Sequence, residues 1–129
     1  MSFPEDLRYT TDHEWAKVGD DGVRVGITSF AVDQLGDITL VTIDAKVGDT
    51  LEAGKAFGTI ESVKTLSDLF APLSGKLVAI NGELETKPEL VNEDCYDKGW
   101  MVVIAPADAK AVDGLMDPAA YDAHVKSSG

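Results

Sequence analysis

Ala56-Phe57-Gly58-Thr59-Ile60-Glu61-Ser62-Val63-Lys64 begins as an apolar, β-prone run and ends in polar residues. Beyond Thr65 and Leu66, a polar break at Ser67-Asp68 leads to Leu69-Phe70-Ala71-Pro72, which reads as a return strand. The two runs predict a hairpin with Lys64 near its tip. Pro72 and the Ser74-Gly75 pair interrupt the ladder before Lys76-Leu77-Val78-Ala79-Ile80 resumes it, the usual place for breakers in a β domain.

Upstream, residues 14–18 and 23–27 flank Gly19-Asp20-Asp21-Gly22 and predict a second hairpin. Thr28 or Ser29 can cap a short helix through Leu35, where Gly36 can take the left-handed position that ends it. Ile38-Thr39-Leu40-Val41-Thr42-Ile43 is β-branched and bounded by Asp44. Val47-Gly48-Asp49 and Glu52-Ala53-Gly54 read as turns around a brief extended piece. So many short strands predict a mainly β fold, a sandwich or barrel, with one short internal helix.

A degenerate repeat accompanies them. Val47-Gly48-Asp49-Thr50-Leu51 leads through Gly54 to Phe57-Gly58-Thr59-Ile60, and Val91-Asn92-Glu93-Asp94-Cys95 leads through Gly99 to Met101-Val102-Val103-Ile104. This predicts two related β substructures packed face to face. The tail predicts two short helices, one from Pro106-Ala107-Asp108 to Gly114 and one from Pro118 through Val125. Trp100, Leu115, Met116 and Tyr121 read as core or helix-docking residues.

With 129 residues, the chain has room for one core, so one domain over 1–129 is expected. Eleven basic against 23 acidic residues give a charge of −12, which repels nucleic acid and anionic membranes and favours basic partners. The single Cys95 forms no internal disulfide, consistent with a reducing cytoplasm. The opening Met1-Ser2-Phe3-Pro4-Glu5-Asp6 shows no targeting pattern, and the run from Trp100 to Ala105 is far shorter than the roughly 20 residues of a membrane span.

Most routes to catalysis fail on the residues. His13-Glu14 is followed by Lys17 where a zinc-binding helix of the His-Glu-x-x-His type needs its second histidine, and the aspartates lack the order of a calcium loop. No metal is expected. Gly54-Lys55-Ala56 and Gly75-Lys76-Leu77 both miss the hydroxyl residue of a phosphate loop. Cys95 lacks a nearby histidine or second cysteine and reads as a small hydrophobe, while His124 reads as a surface or capping residue. Lys64 is different, since a long mobile stem on a rigid hairpin suits a covalent prosthetic group that must enter another protein's active site.

The segment Gly58-Thr59-Ile60-Glu61-Ser62-Val63-Lys64, continuing through Ser67-Asp68 to Ala71-Pro72-Leu73-Ser74-Gly75, resembles the lipoyl-attachment region of glycine cleavage system H proteins. His13-Glu14-Trp15, Val25-Gly26-Ile27-Thr28, Leu35-Gly36-Asp37-Ile38, Leu90-Val91-Asn92-Glu93-Asp94 and Lys98-Gly99-Trp100 resemble that family in the same order. Thr65 stands where the family commonly has alanine, and Cys95 where it commonly has proline or serine.

The resemblance implies a lipoyl/biotinyl-type flattened barrel or sandwich of two small sheets, with N-terminal and C-terminal extensions. It implies lipoate acyl-linked to Lys64 and a monomeric carrier rather than an enzyme. The partners it implies are a pyridoxal-phosphate glycine decarboxylase that loads an aminomethyl group, a tetrahydrofolate-dependent aminomethyltransferase, and a dihydrolipoamide dehydrogenase that reoxidises the arm. A lipoylating enzyme is the fourth, and Glu61 and Ser62 are candidates for what it reads. A loaded arm is cationic near neutral pH and gains protection in a cleft with a carboxylate acceptor; Glu14 is the leading candidate and Asp68 the second.

Two related carriers and one unrelated class compete. Biotin carriers usually place methionines around the modified lysine, whereas Lys64 lies between Val63 and Thr65. Lipoyl domains of 2-oxoacid dehydrogenase complexes typically have Asp-Lys-Ala at the hairpin. An unmodified acidic interaction module is the noncarrier alternative.

Overall fold

The computed structural model describes residues 3–108 and 110–128. Among these described residues nine strands follow in chain order: β1 (Arg8–Tyr9), β2 (Glu14–Gly19), β3 (Gly22–Ile27), β4 (Ile38–Ile43), β5 (Thr50–Leu51), β6 (Ala56–Ser62), β7 (Leu66–Phe70), β8 (Gly75–Ile80) and β9 (Val102–Pro106). The helices are α1 (Ser29–Leu35), α2 (Glu83–Thr86), α3 (Leu90–Glu93) and α4 (Pro118–Ser128), with a 3-10 turn at Ala111–Gly114. Strands β1-β2-β3-β9-β8-β5 form one antiparallel sheet and β4-β6-β7 a smaller one. The mainly β expectation of two sheets with short helices therefore holds.

Alternation explains the packing. Val23, Val25 and Ile27 turn inward from β3 and meet Ile60, Leu69, Leu77 and Ile104 in the main core. A second cluster, Phe3, Leu7, Tyr9, Trp15, Tyr121 and Val125, lies under α4. Tyr121 and Val125 are four residues apart and so share one face of that helix. Each fully buried side chain of this size contributes roughly 2–3 kcal/mol of hydrophobic stabilisation before entropy is counted. Trp15 is also held at its polar edge, its Nε1–H donating to the Cys95 carbonyl at 2.8 Å. Its partner across the ladder is Gly26, where a Cβ would sit 2.6 Å from the indole ring.

Three expectations need correction. The return strand begins at Leu66, so Ser67 and Asp68 lie within it, paired with Ile60 and Thr59. Ladder bonds are made by backbone, and polar side chains do not break an edge strand. The repeat also fails locally: Val47–Leu51 enters β5 through a turn with Gly48 at φ 101°, whereas Val91-Asn92-Glu93 is helical within α3. One apolar residue followed by polar ones fits either a turn or a single helical turn, so the pattern was degenerate. In the tail, Pro106 ends β9 and, among the described residues, only Ala111–Gly114 is helical between β9 and α4, which runs on to Ser128. Ala109 of that predicted first helix, like Met1 and Ser2, lies outside the described residues.

Tyr121 is fully buried, while Trp100, Leu115 and Met116 are half-buried and packed against the two clusters. Among the described residues, no helix is long and apolar enough to cross a membrane.

Candidate functional site

Ser62 builds the tip of the β6–β7 hairpin. Its N–H donates to the Thr65 carbonyl at 2.8 Å, and its Oγ accepts the N–H groups of Lys64 and Thr65, each at 3.2 Å. A buried serine thus ties both ends of the turn, leaving Val63 and Lys64 exposed at its apex. Glu61 points outward, opposite Leu66 on one side and Leu40 on the other. Of the two hairpin residues considered for recognition, only Glu61 presents its side chain to solvent.

The tip rests on the segment that follows α1. Val63 N–H donates to the Asp37 carbonyl at 3.1 Å, and the Lys64 stem passes over Gly36, its Cε 3.4 Å from where a Cβ would stand. Gly36 has φ 79° and ψ −151°, a region in effect reserved for glycine, so it closes the helix and clears the lysine stem together. Asn92 fixes this seat: its Oδ1 accepts the Ile38 N–H at 2.8 Å and its Nδ2 donates to the Gly36 carbonyl at 2.9 Å. In the sequence Asn92 stands only within the family-like segment Leu90–Asp94, with no role of its own. The available signal was chemical, because a short amide carries one acceptor and two donors and can satisfy a peptide N–H and C=O simultaneously.

A cleft of about 490 Å³ opens between α1, the start of β2 and the edge strand β7. Gln34 and Leu35 line it from the helix, His13 and Glu14 from β2 and the corner before it, and Ser67 and Asp68 from β7. The fold therefore brings Glu14 and Asp68 to one cavity, although 54 residues of chain separate them. Glu14 is 2% exposed; its Oε2 accepts the Phe70 N–H at 2.7 Å, while its buried Oε1 has no partner among the described residues. Burial pushes its carboxyl well above the usual range, partly opposed by the Phe70 hydrogen bond. Asp68 remains exposed.

Cys95 is buried and its thiol is pushed up to about 11 by that burial, the state of an inert small hydrophobe rather than a nucleophile.

The sequence pattern of the Glycine cleavage H-protein family matches residues 7–128. The chain belongs to that family. It is 54% identical over 125 residues to the glycine cleavage system H protein of Bacteroides thetaiotaomicron, covering 97% of this chain and 98% of that protein. To the H protein of Anaeromyxobacter sp. it is 50% identical over 126 residues, with 98% of each covered. The crystal structure of an H protein from Mycobacterium marinum matches with a TM-score of 0.84 at 38% identity, covering 98% of this chain and 99% of that one.

As a glycine cleavage H-protein, the chain is a lipoyl-bearing shuttle of the glycine cleavage system and not an enzyme. Its family carries a lipoyl-lysine and works with the other components of that system. The relatives named with it are bacterial.

Proposed function

We propose that Lys64 carries the lipoyl group and that residues 1–129 act as one monomeric carrier unit in a bacterial cytoplasm. In this reading it takes an aminomethyl group from a pyridoxal-phosphate glycine decarboxylase to a tetrahydrofolate-dependent aminomethyltransferase, and a dihydrolipoamide dehydrogenase then reoxidises it. The observation that carries this is the placement of an exposed lysine on a hairpin seated against Gly36-Asp37-Ile38, with a carboxyl-bearing cleft lined by the same helix and the same hairpin.

The residues present fit the group. Lys64 offers an exposed primary amine on a turn that Ser62 holds, and Glu14, which lines the cleft, keeps a buried oxygen without a partner among the described residues. When attached, the lipoyl group supplies the sulfur chemistry, and the protein supplies tether and shelter. Glu14 accepts the cationic end of the loaded arm, and Asp68 stands on the facing strand as the second acceptor. Glu61 is the exposed hairpin residue for the lipoylating enzyme to read; Ser62 contributes by fixing the turn.

Lys64→Arg tests the attachment point, since it keeps the charge and removes the acylable amine. The variant should fold, gain no lipoyl mass with a lipoylating enzyme, and support no glycine–carbon dioxide exchange with the decarboxylase. Normal modification and exchange would reject Lys64.

A further inference from the structure

His13 has a backbone φ of 66°, the one positive value at a non-glycine among the described residues. L-residues avoid this conformation, and it persists only where the surroundings hold it. Here the His13 N–H donates to the Thr10 carbonyl at 3.1 Å and its carbonyl accepts the Thr28 N–H at 3.0 Å. The third hold comes from the far end of the chain, where Tyr121 Oη lies 2.8 Å from His13 Nδ1.

Tyr121 itself cannot drift. Its ring is fully buried, stacked on Tyr9 at 4.7 Å and set edge-on to Phe3 at 4.6 Å. Its hydroxyl also lies 2.7 Å from Thr28 Oγ1, which caps α1 by accepting the Ala31 N–H at 3.3 Å. Only the Ala31 N–H to Thr28 bond has a fixed direction; one set of donors that continues it runs from the Thr28 hydroxyl to Tyr121 and from the Tyr121 hydroxyl to His13 Nδ1. With that set His13 is the neutral Nε2–H tautomer, the state the test below reads directly. Burial and the neighbouring His124, its ring 5.6 Å away, push the imidazole in the same direction, below its ordinary value.

The corner matters because β2 starts at the next residue. Adjacent strand residues face opposite ways, so Trp15 enters the aromatic cluster under α4 and Glu14 faces the cleft. We infer that Tyr121, on the C-terminal helix, is a positioning residue for the cleft, holding through His13 the left-handed corner that aims Glu14 at the arm. This rests on the cleft being where the loaded arm shelters. The C-terminal helix thereby acts on the site from outside its lining, through the contact of Tyr121 with His13.

The test uses Tyr121→Phe, which keeps the stacked ring and removes only the hydroxyl. In unlipoylated protein, nitrogen-15 shifts of His13 report its tautomer, and carbon-13 titration reports Glu14. Around His13 the titratable groups are Asp12, Glu14 and Asp68 lining the cleft and Tyr121 and His124 on α4. In the native chain His13 should be Nε2–H. In Tyr121→Phe its midpoint should rise, because a donor to the neutral ring is lost, and Glu14 should fall toward the ordinary 4.5 as its carboxyl gains water. Once lipoylated and loaded, the variant should release its cargo about three- to tenfold faster, the range set by one neutral hydrogen bond.

His13→Ala, which removes the ring that Tyr121 holds and disfavours the left-handed corner, should shift Glu14 likewise and serves if Tyr121→Phe folds poorly. Native titration of Glu14 in a folded variant of either kind would overturn the inference. The arm reading fails separately: if Glu14→Gln leaves cargo release unchanged, the cleft does not shelter the arm, while the titrations still decide whether Tyr121 positions Glu14.

Discussion

The Phe70 N–H donates to Glu14 Oε2 at 2.7 Å, which commits one oxygen of this cleft-lining carboxyl to the edge of β7 and leaves the other buried without a partner among the described residues. An edge strand presents N–H groups that need partners, and a side chain from β2 supplies one here. The arrangement joins the two walls of the cleft and keeps an acceptor in it.

Glu14→Gln should preserve the bond to Phe70 through its amide oxygen, permit normal lipoylation, and shorten the lifetime of the loaded carrier. Following ammonia and formaldehyde release after removal of the decarboxylase checks this. Equal release rates, with unchanged arm-to-body nuclear Overhauser contacts, would reject the protective role.

The same substitution should change the pH dependence of stability. Burial raises the Glu14 carboxyl above its unfolded value of 4.5, so the native state binds the extra proton and is penalised as pH climbs from there through the raised folded value. Glu14→Gln removes that penalty. Urea midpoints of the two proteins should converge below pH 4.5 and separate in favour of the variant toward neutrality. A native protein more stable than the variant at neutral pH would contradict the assignment.

Asn92→Ala removes two hydrogen bonds from the lysine's seat and leaves the Ile38 N–H and Gly36 C=O to find water. A loss of about 1–3 kcal/mol is expected by chemical denaturation. Amide exchange at Val63 should quicken, because its acceptor Asp37 lies between the two residues Asn92 clamps. Exchange at Val63 as slow as in the native protein would show that the seat does not depend on Asn92.

Gly36→Ala should cost roughly 1–3 kcal/mol through backbone strain alone. The added methyl also meets the Lys64 stem at 3.4 Å, so lipoylation should slow along with the loss in melting temperature. Unaltered lipoylation in the folded variant would mean that the stem does not need this passage.

The β6–β7 hairpin, the α1 cap and the position of Lys64 were legible because each has a local cause: β-branched runs, a capping hydroxyl, a glycine past the helix end. Glu14 and Asp68 were legible as cleft candidates only through chemistry and resemblance, since nothing local in Glu14 says that β7 will cross it. Asn92, Tyr121 and the left-handed corner at His13 were not legible as site residues. Their roles come from contacts across 54 to 108 residues of chain, between elements whose order in space no local pattern encodes.

Peptide mapping by mass spectrometry of the protein isolated from its own cells, grown with ample lipoate, tests the central claim most directly. The account predicts a lipoyl mass increment confined to the peptide containing Lys64, absent from every other lysine. Its complete absence there, or its presence on another residue, would contradict the account.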